Sequence, residues 1–209
     1  GRLLYTGSGF DLGLSVARVH DRQGILELPG IQALSEPSIV LPLLHRPYVQ
    51  VAQTGAVPSG NWLFKWELAL SVDEPTNSGQ LEGTIPNVQQ SRVNRLTPMF
   101  GSSYTGLSQL TVSAEFQRSF LLSNLDDPLY PMELSIVSFR MVGDYLRERL
   151  RLIAVASIFG LSPHLGQFYR TEVNYEVRDG FRLGVMYVHY NVQDRDTLSP
   201  LSGLERHNQ

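Results

Sequence analysis

Residues 62–73 read WLFKWELALSVD, and they carry two different chemistries on alternate positions. The even positions are apolar throughout: Trp62, Phe64, Trp66, Leu68, Leu70 and Val72. The polar and charged side chains fall on odd positions: Lys65, Glu67, Ser71 and Asp73. Successive side chains of a strand point to opposite faces, so the segment predicts a strand with one apolar face and one charged face. What each face meets decides what the protein does.

The same alternation recurs along the chain. It is regular in three further segments, Phe10–His20, Gln109–Leu122 and Gln167–Arg178. Five more apolar segments, rich in β-branched and aromatic residues, alternate less regularly: Tyr48–Val57, Arg95–Thr105, Met132–Val142, Arg149–Phe159 and Phe181–Gln193. Together they predict an all-β chain of about nine strands, each about 11 residues long. The segment 144–160 also allows a helix capped by Asp144, although Ile153, Val155 and Ile158 favour a strand.

Long and short connections alternate between these strands. Long loops are expected near 21–46, 73–94 and 194–209, whereas other links are as short as Asp179-Gly180, a strong hairpin signal. One end of the sheet therefore has tight turns and the other has loops, in antiparallel up-and-down order. Residues 1–209 are read as a single β-barrel domain or barrel segment. A tilted 11-residue strand spans roughly 25 Å, the height of the apolar band of a transmembrane barrel.

Three segments resemble the repeated units of Gram-negative outer-membrane β-barrels, in particular the large porin-like channels. They are "GNWLFKWELAL", "FGSSYTGLSQLTVSAEFQRS" and "YRTEVNYEVRDGFRLGVMYVHYNV". The resemblance implies a place in the bacterial outer membrane and passive transport of small solutes. It also implies contact with membrane lipids and lipopolysaccharide.

Such barrels usually have an even number of strands, and a barrel leaves no open edge in lipid. Here nine strands are followed by a loop-like terminus, and Leu3–Tyr5 resembles the tail of an earlier strand before the turn Gly7-Ser8-Gly9. We therefore expect this chain to be part of a larger barrel or membrane assembly. A homo-oligomer or other outer-membrane subunits are the expected partners.

Parity assigns each side chain to a face. The charged rows are expected to line a water-filled lumen, because charges there keep their hydration. The expected lumen residues are Asp11, Lys65, Glu67, Glu115, Arg170, Glu172, Glu176 and Arg182. In the apolar rows, Arg18 and Arg118 near the long loops are expected to contact lipid headgroups, or to snorkel to the interface. The expected lipid-facing aromatic residues, including an aromatic girdle, are Trp62, Phe64, Trp66, Phe116, Tyr175 and Phe181. The lumen charges have a second interpretation, in which cross-strand pairs only brace the wall.

Other functions find little support in the sequence. His189 near Asn191 lacks a neighbouring serine nucleophile, so no enzyme is expected, and the remaining histidines have no metal-ligand spacing. No cofactor, metal or nucleic-acid partner is predicted, and the net charge of -3 gives no reason to expect nucleic acid. The apolar loop 22–46 has three candidate contacts, namely the barrel lumen, another subunit and a surface partner, and it is expected to fold into the barrel mouth. Two alternatives stay open: a soluble β-barrel or β-sandwich binding protein, and a barrel that only anchors partner-binding surface loops.

Overall fold

The computed structural model describes residues 1–21, 25–26, 43–80, 87–123, 134–161 and 165–191. Strands make up 83% of the described residues, so the all-β prediction is confirmed. The strands are β1 (Arg2–Thr6), β2 (Asp11–His20), β3 (Ile25–Leu26), β4 (Leu43–Leu44), β5 (Pro47–Ser59), β6 (Trp62–Gln80), β7 (Asn87–Leu107), β8 (Leu110–Arg118), β9 (Phe120–Leu121), β10 (Ser135–Tyr145), β11 (Leu150–Phe159), β12 (Gly166–Arg178) and β13 (Phe181–Asn191).

The strands form one antiparallel meander. The order is β1-β2-β5-β6-β7-β8-β10-β11-β12-β13, with the short β9 paired to β7 and with β3 and β4 forming a separate two-stranded ladder. Each long strand therefore pairs with its neighbours in the chain, as up-and-down order requires. The sheet is open, and within the described residues β1 and β13 are its two edges.

All nine predicted strands are present, and Leu3–Tyr5 belongs to a tenth. The helix considered for residues 144–160 does not form. Instead β10 and β11 make a hairpin through the turn at residues 146–149, and Leu146, Arg147 and Glu148 have positive φ angles of 54°, 58° and 69°. The Asp179-Gly180 turn also forms, with a φ of 79° at Gly180.

One expected loop differs from the structure. Much of the segment 73–94 is paired strand, because β6 continues to Gln80 and β7 begins at Asn87. A register shift between Ser71 and Glu74 breaks the alternation there, with Asp73 in the left-handed region at a φ of 56°. A bulge of this kind lets pairing resume in a new phase, which a simple alternation count misses. The loop near 194–209 and most of 21–46 lie outside the described residues.

The described part of the chain is a single layer with a small core. Its buried hydrophobic residues are Ile25, Ala69, Val93 and Leu165. Large apolar side chains are instead exposed along the long strands, among them Phe100 at 61% and Val185 at 73%. Within the described ranges, no second layer of secondary structure covers these side chains.

The indole of Trp66 lies over Gly55, its direct partner on β5. A Cβ atom at Gly55 would come 2.0 Å from the Trp66 ring. Because glycine has no Cβ, the indole can pack directly against the backbone of β5 at this position.

We expect Gly55→Val to displace the Trp66 indole and lower the free energy of unfolding by about 1–3 kcal/mol, the usual effect of overpacking. Urea unfolding monitored by tryptophan fluorescence measures the change. Gly9→Val is the matched control, because a Cβ there has no heavy atom within 4 Å. Equal stability of the two variants would contradict this close approach.

Candidate functional site

Strand register divides the side chains into two faces. Directly opposed residues of an antiparallel pair share a face, so the pairings can be followed from strand to strand. One lateral row contains Asp11, Lys65 and Glu115, joined through Ala56 and Gly101. The row one residue along contains Trp66, Phe100 and Phe116 on the opposite face.

These pairings show on which face each predicted lumen residue and each predicted outer residue lies. One face, called the charged face below, carries Asp11, Lys65, Glu67, Glu115, Arg170, Glu172, Glu176 and Arg182. The other, called the apolar face, carries Arg18, Arg118, Trp62, Phe64, Trp66, Phe116, Tyr175 and Phe181. The eight predicted lumen residues thus share one face, and the eight predicted outer residues share the other.

A cavity on the charged face indicates which way the sheet curves. A cavity of about 380 Å³ on this face is lined from five strands, β1, β2, β5, β6 and β7, including Arg2, Asp11, Lys65 and Met99. Because three strands lie between β1 and β7, we infer from one cavity that reaches both that the sheet curves toward the charged face. The exposed apolar face is therefore the convex side.

Six of the eight predicted lumen charges are paired with each other. Lys65 Nζ lies 3.1 Å from Glu115 Oε1, reaching across β7 where Gly101 leaves room. Arg182 lies 3.2 Å from Glu176 on the neighbouring strand. Arg170 donates to Glu172, which also accepts a 2.8 Å hydrogen bond from Asn174 Nδ2. Exposed pairs of this kind contribute only about 0–1 kcal/mol each, and they favour the bracing interpretation for these six.

Asp11 and Glu67 differ from the other six. Among the described residues, neither carboxylate has an ion-pair partner within 4.0 Å. They are the two predicted lumen carboxylates left available to a mobile ion.

The charged face also contains two ion pairs that the alternation of the sequence does not predict. Glu74 lies 2.5 Å from Arg95, and Asp144 lies 3.8 Å from Arg151. The sequence predicts a loop at Glu74 because the bulge interrupts the alternation before it. Asp144 and Arg151 are direct cross-strand partners, which becomes visible only once the turn at 146–149 fixes the register.

Glu74 follows the bulge that ends the regular alternation of residues 62–72. Burial raises its pKa above the ordinary value, while the Arg95 guanidinium and a hydrogen bond from Ser71 act against that rise. A raised carboxyl pKa means that the folded state holds the proton more tightly than the unfolded chain. This contribution to stability is complete below the unfolded pKa and is lost as pH rises through the folded pKa.

The base of the apolar loop folds onto the sheet. We call the two-stranded ladder of β3 and β4 the inner clip. At the base of the clip, the Asp21 amide donates a 3.1 Å hydrogen bond to the Arg46 carbonyl. The clip contacts β6 and β7, and both Ile25 on β3 and Val93 on β7 are only 1% exposed. Val93 pairs with Glu74 and shares the parity of Arg95, which places it on the charged face. The described part of the loop therefore covers one end of the concave side.

Aromatic rings gather near the short turns on the apolar face. The centroids of Trp62 and Tyr104 are 4.7 Å apart, and those of Tyr5 and Phe10 are 5.4 Å apart. Tyr175 and Phe181 lie on the same face beside the Asp179-Gly180 turn. Tyr5, Phe10 and Tyr104 were not singled out in the sequence, although their parity and their nearness to turns were available signals.

The two basic residues that the sequence predicts in the apolar rows are far apart. Arg18 is on β2 and Arg118 is on β8, with β5, β6 and β7 between them. The Arg118 guanidinium lies 4.7 Å from the centre of the Phe120 ring, a cation–π contact. The two arginines therefore do not form one shared anion site.

His189 lies on the apolar face between two tyrosines. Its ring centroid is 6.4 Å from that of Tyr169 and 6.3 Å from that of Tyr187. Within the described ranges, no group of three or more His, Asp or Glu side chains is placed to hold a metal ion. In the same part of the chain, no helix is long and apolar enough to cross a membrane.

No protein-family model, curated protein or solved structure matches this chain.

Proposed function

We propose that this chain forms the wall of an outer-membrane β-barrel that lets small solutes diffuse through a water-filled lumen. The observation that carries the proposal is the exposed, convex apolar face formed by consecutive strands. Large contiguous apolar surfaces are rare on soluble monomers, and they mark contact with lipid or with another protein. Acyl chains cover a convex surface that extends around a whole sheet.

The soluble β-barrel or β-sandwich fits the described residues less well. In that arrangement the apolar rows point inward and pack at core density. Here Trp62, Phe100 and Phe139 point away from the concave side and are between 45% and 61% exposed. The charges occupy the concave side instead, as expected for a barrel in lipid.

The lumen requires a closed wall. Unpaired backbone groups in hydrocarbon each cost several kcal/mol, so the edges β1 and β13 need antiparallel partner strands. The alternating order makes β1 and β13 run in opposite directions, which is compatible with antiparallel closure of the barrel through further strands.

Membrane fractionation and planar-bilayer conductance test this proposal. The protein is expected in the outer-membrane fraction, soluble only after detergent extraction, and purified protein is expected to give steady ohmic current. Recovery as a detergent-free soluble monomer would contradict the membrane assignment. A protein in the outer-membrane fraction that passes no steady current would favour the second candidate, a barrel that anchors partner-binding loops.

Asp11→Asn combined with Glu67→Gln is expected to remove a weak preference for cations. These two carboxylates have no ion-pair partner in the described ranges, so they act on a passing ion more freely than paired ones. The effect on the K⁺/Cl⁻ permeability ratio should not exceed about twofold, because water and salt screen exposed charges. Reversal potentials in a KCl gradient measure it. Lys65→Gln combined with Glu115→Gln is the matched control, and a larger shift in that control would contradict the assignment.

A further inference from the structure

A second cavity on the charged face is lined by side chains of both charges. A cavity of about 610 Å³ lies at the short-turn end of β10 to β13. Four arginines and four acidic residues line it, together with Asn174: Arg147, Arg149, Arg151, Arg182, Asp144, Glu148, Glu176 and Asp179. The four positive and four negative charges balance.

Half of these charges already pair with each other. Arg151 lies 3.8 Å from Asp144, and Arg182 lies 3.2 Å from Glu176, each pair joining adjacent strands. In the part of the chain that the structure describes, the side chains of Arg147, Glu148, Arg149 and Asp179 have no such partner. The cavity therefore presents two free cations and two free anions to solvent.

The backbone is in an uncommon conformation at two of these residues, Arg147 and Glu148. Leu146, Arg147 and Glu148 have positive φ, a region that non-glycine residues seldom adopt. The end of the turn is fixed to the sheet, because the Glu176 amide donates to the Arg149 carbonyl at 2.7 Å. Successive positive, negative and positive side chains thus extend from an anchored turn.

We propose that this cavity, called the rim basin below, binds small zwitterions of the amino-acid class. A monovalent ion of either sign meets as many like charges as opposite ones here. A solute with both a carboxylate and an ammonium group can pair with Arg147 or Arg149 and with Glu148 or Asp179 at the same time. The lining is almost entirely polar, so it offers little to an acyl chain or an aromatic ring. The inference rests on the proposed function, because it names the class of solute that such a lumen favours.

Saturation-transfer NMR on the detergent-solubilised protein tests the rim basin without requiring a conducting pore. The probes are L-alanine as zwitterion, succinate as anion, putrescine as cation and glucose as neutral solute. L-alanine is expected to bind saturably and more tightly than the other three. Arg147→Gln with Arg149→Gln, and separately Glu148→Gln with Asp179→Asn, should each weaken L-alanine binding about 2- to 5-fold, the effect of losing an exposed ion pair.

Lys65→Gln with Glu115→Gln should leave L-alanine binding unchanged, because that pair lies elsewhere on the charged face. Circular dichroism checks that each variant keeps its strands. Absence of saturable L-alanine binding, or tighter binding of succinate, putrescine or glucose, overturns the proposal. Failure of the channel would appear instead as absent bilayer current with L-alanine binding retained.

Discussion

Trp66→Arg is expected to prevent assembly of the chain in the membrane, whereas Glu67→Gln should assemble normally. Trp66 lies on the apolar face in a lateral row with Phe100 and Phe116, where we place the hydrocarbon. Arginine near the bilayer midplane costs about 2–4 kcal/mol, and the indole contact with Gly55 is lost as well. Glu67 lies one residue away on the charged face, so the amide remains in water.

The yield of folded protein in the membrane fraction measures this first effect, with total expression as reference. Trp66→Phe separates charge from volume, and we expect it to assemble. Equal assembly of the Trp66→Arg and Glu67→Gln proteins would contradict the assignment of the two faces.

Val93→Asp is expected to detach the inner clip and to widen the lumen that we propose. Val93 and Ile25 are fully buried, and a carboxylate placed there costs several kcal/mol unless it finds a partner. The clip is held by a ladder of two-residue strands, whereas β7 pairs along most of its 21 residues. Local release of the clip is therefore cheaper than unfolding of the sheet.

Faster proteolysis between residues 22 and 42 measures release of the clip, and larger single-channel conductance measures widening of the lumen. Thr97→Asp is the matched control, because Thr97 lies on the same strand and face but is only half-buried. A Val93→Asp protein with unchanged cleavage rate and unchanged conductance would contradict the packing of the clip.

Much of this fold is predictable from the sequence, because alternation and turn residues are local signals. WLFKWELALSVD specifies its two faces by parity, and Asp179-Gly180 specifies a hairpin. Register then follows from the tight turns, and it brings Asp11, Lys65 and Glu115 into one row without any long-range information.

The remaining features depend on contacts between distant parts of the chain. The bulge after Ser71 changes which residues of β6 face each side. Alternation alone therefore predicts a loop at Glu74, whereas the structure pairs it with Val93. Lys65 reaches Glu115 because a glycine lies between them on β7, which parity alone does not reveal. The burial of Val93 and the contact of β3 with β7 depend on where the base of a loop folds, and no periodic pattern encodes that.

The direct test of the central claim is the environment of each side chain from residue 62 to residue 72. The chain has no cysteine, so single cysteines placed at these positions can carry a nitroxide label without background. In reconstituted bilayers, collisions with oxygen report lipid and collisions with a water-soluble nickel complex report water. Even positions are expected to favour oxygen and odd positions the nickel complex, with a period of two residues. Uniform accessibility, or the opposite phase, would contradict a barrel wall with lipid on one face and water on the other.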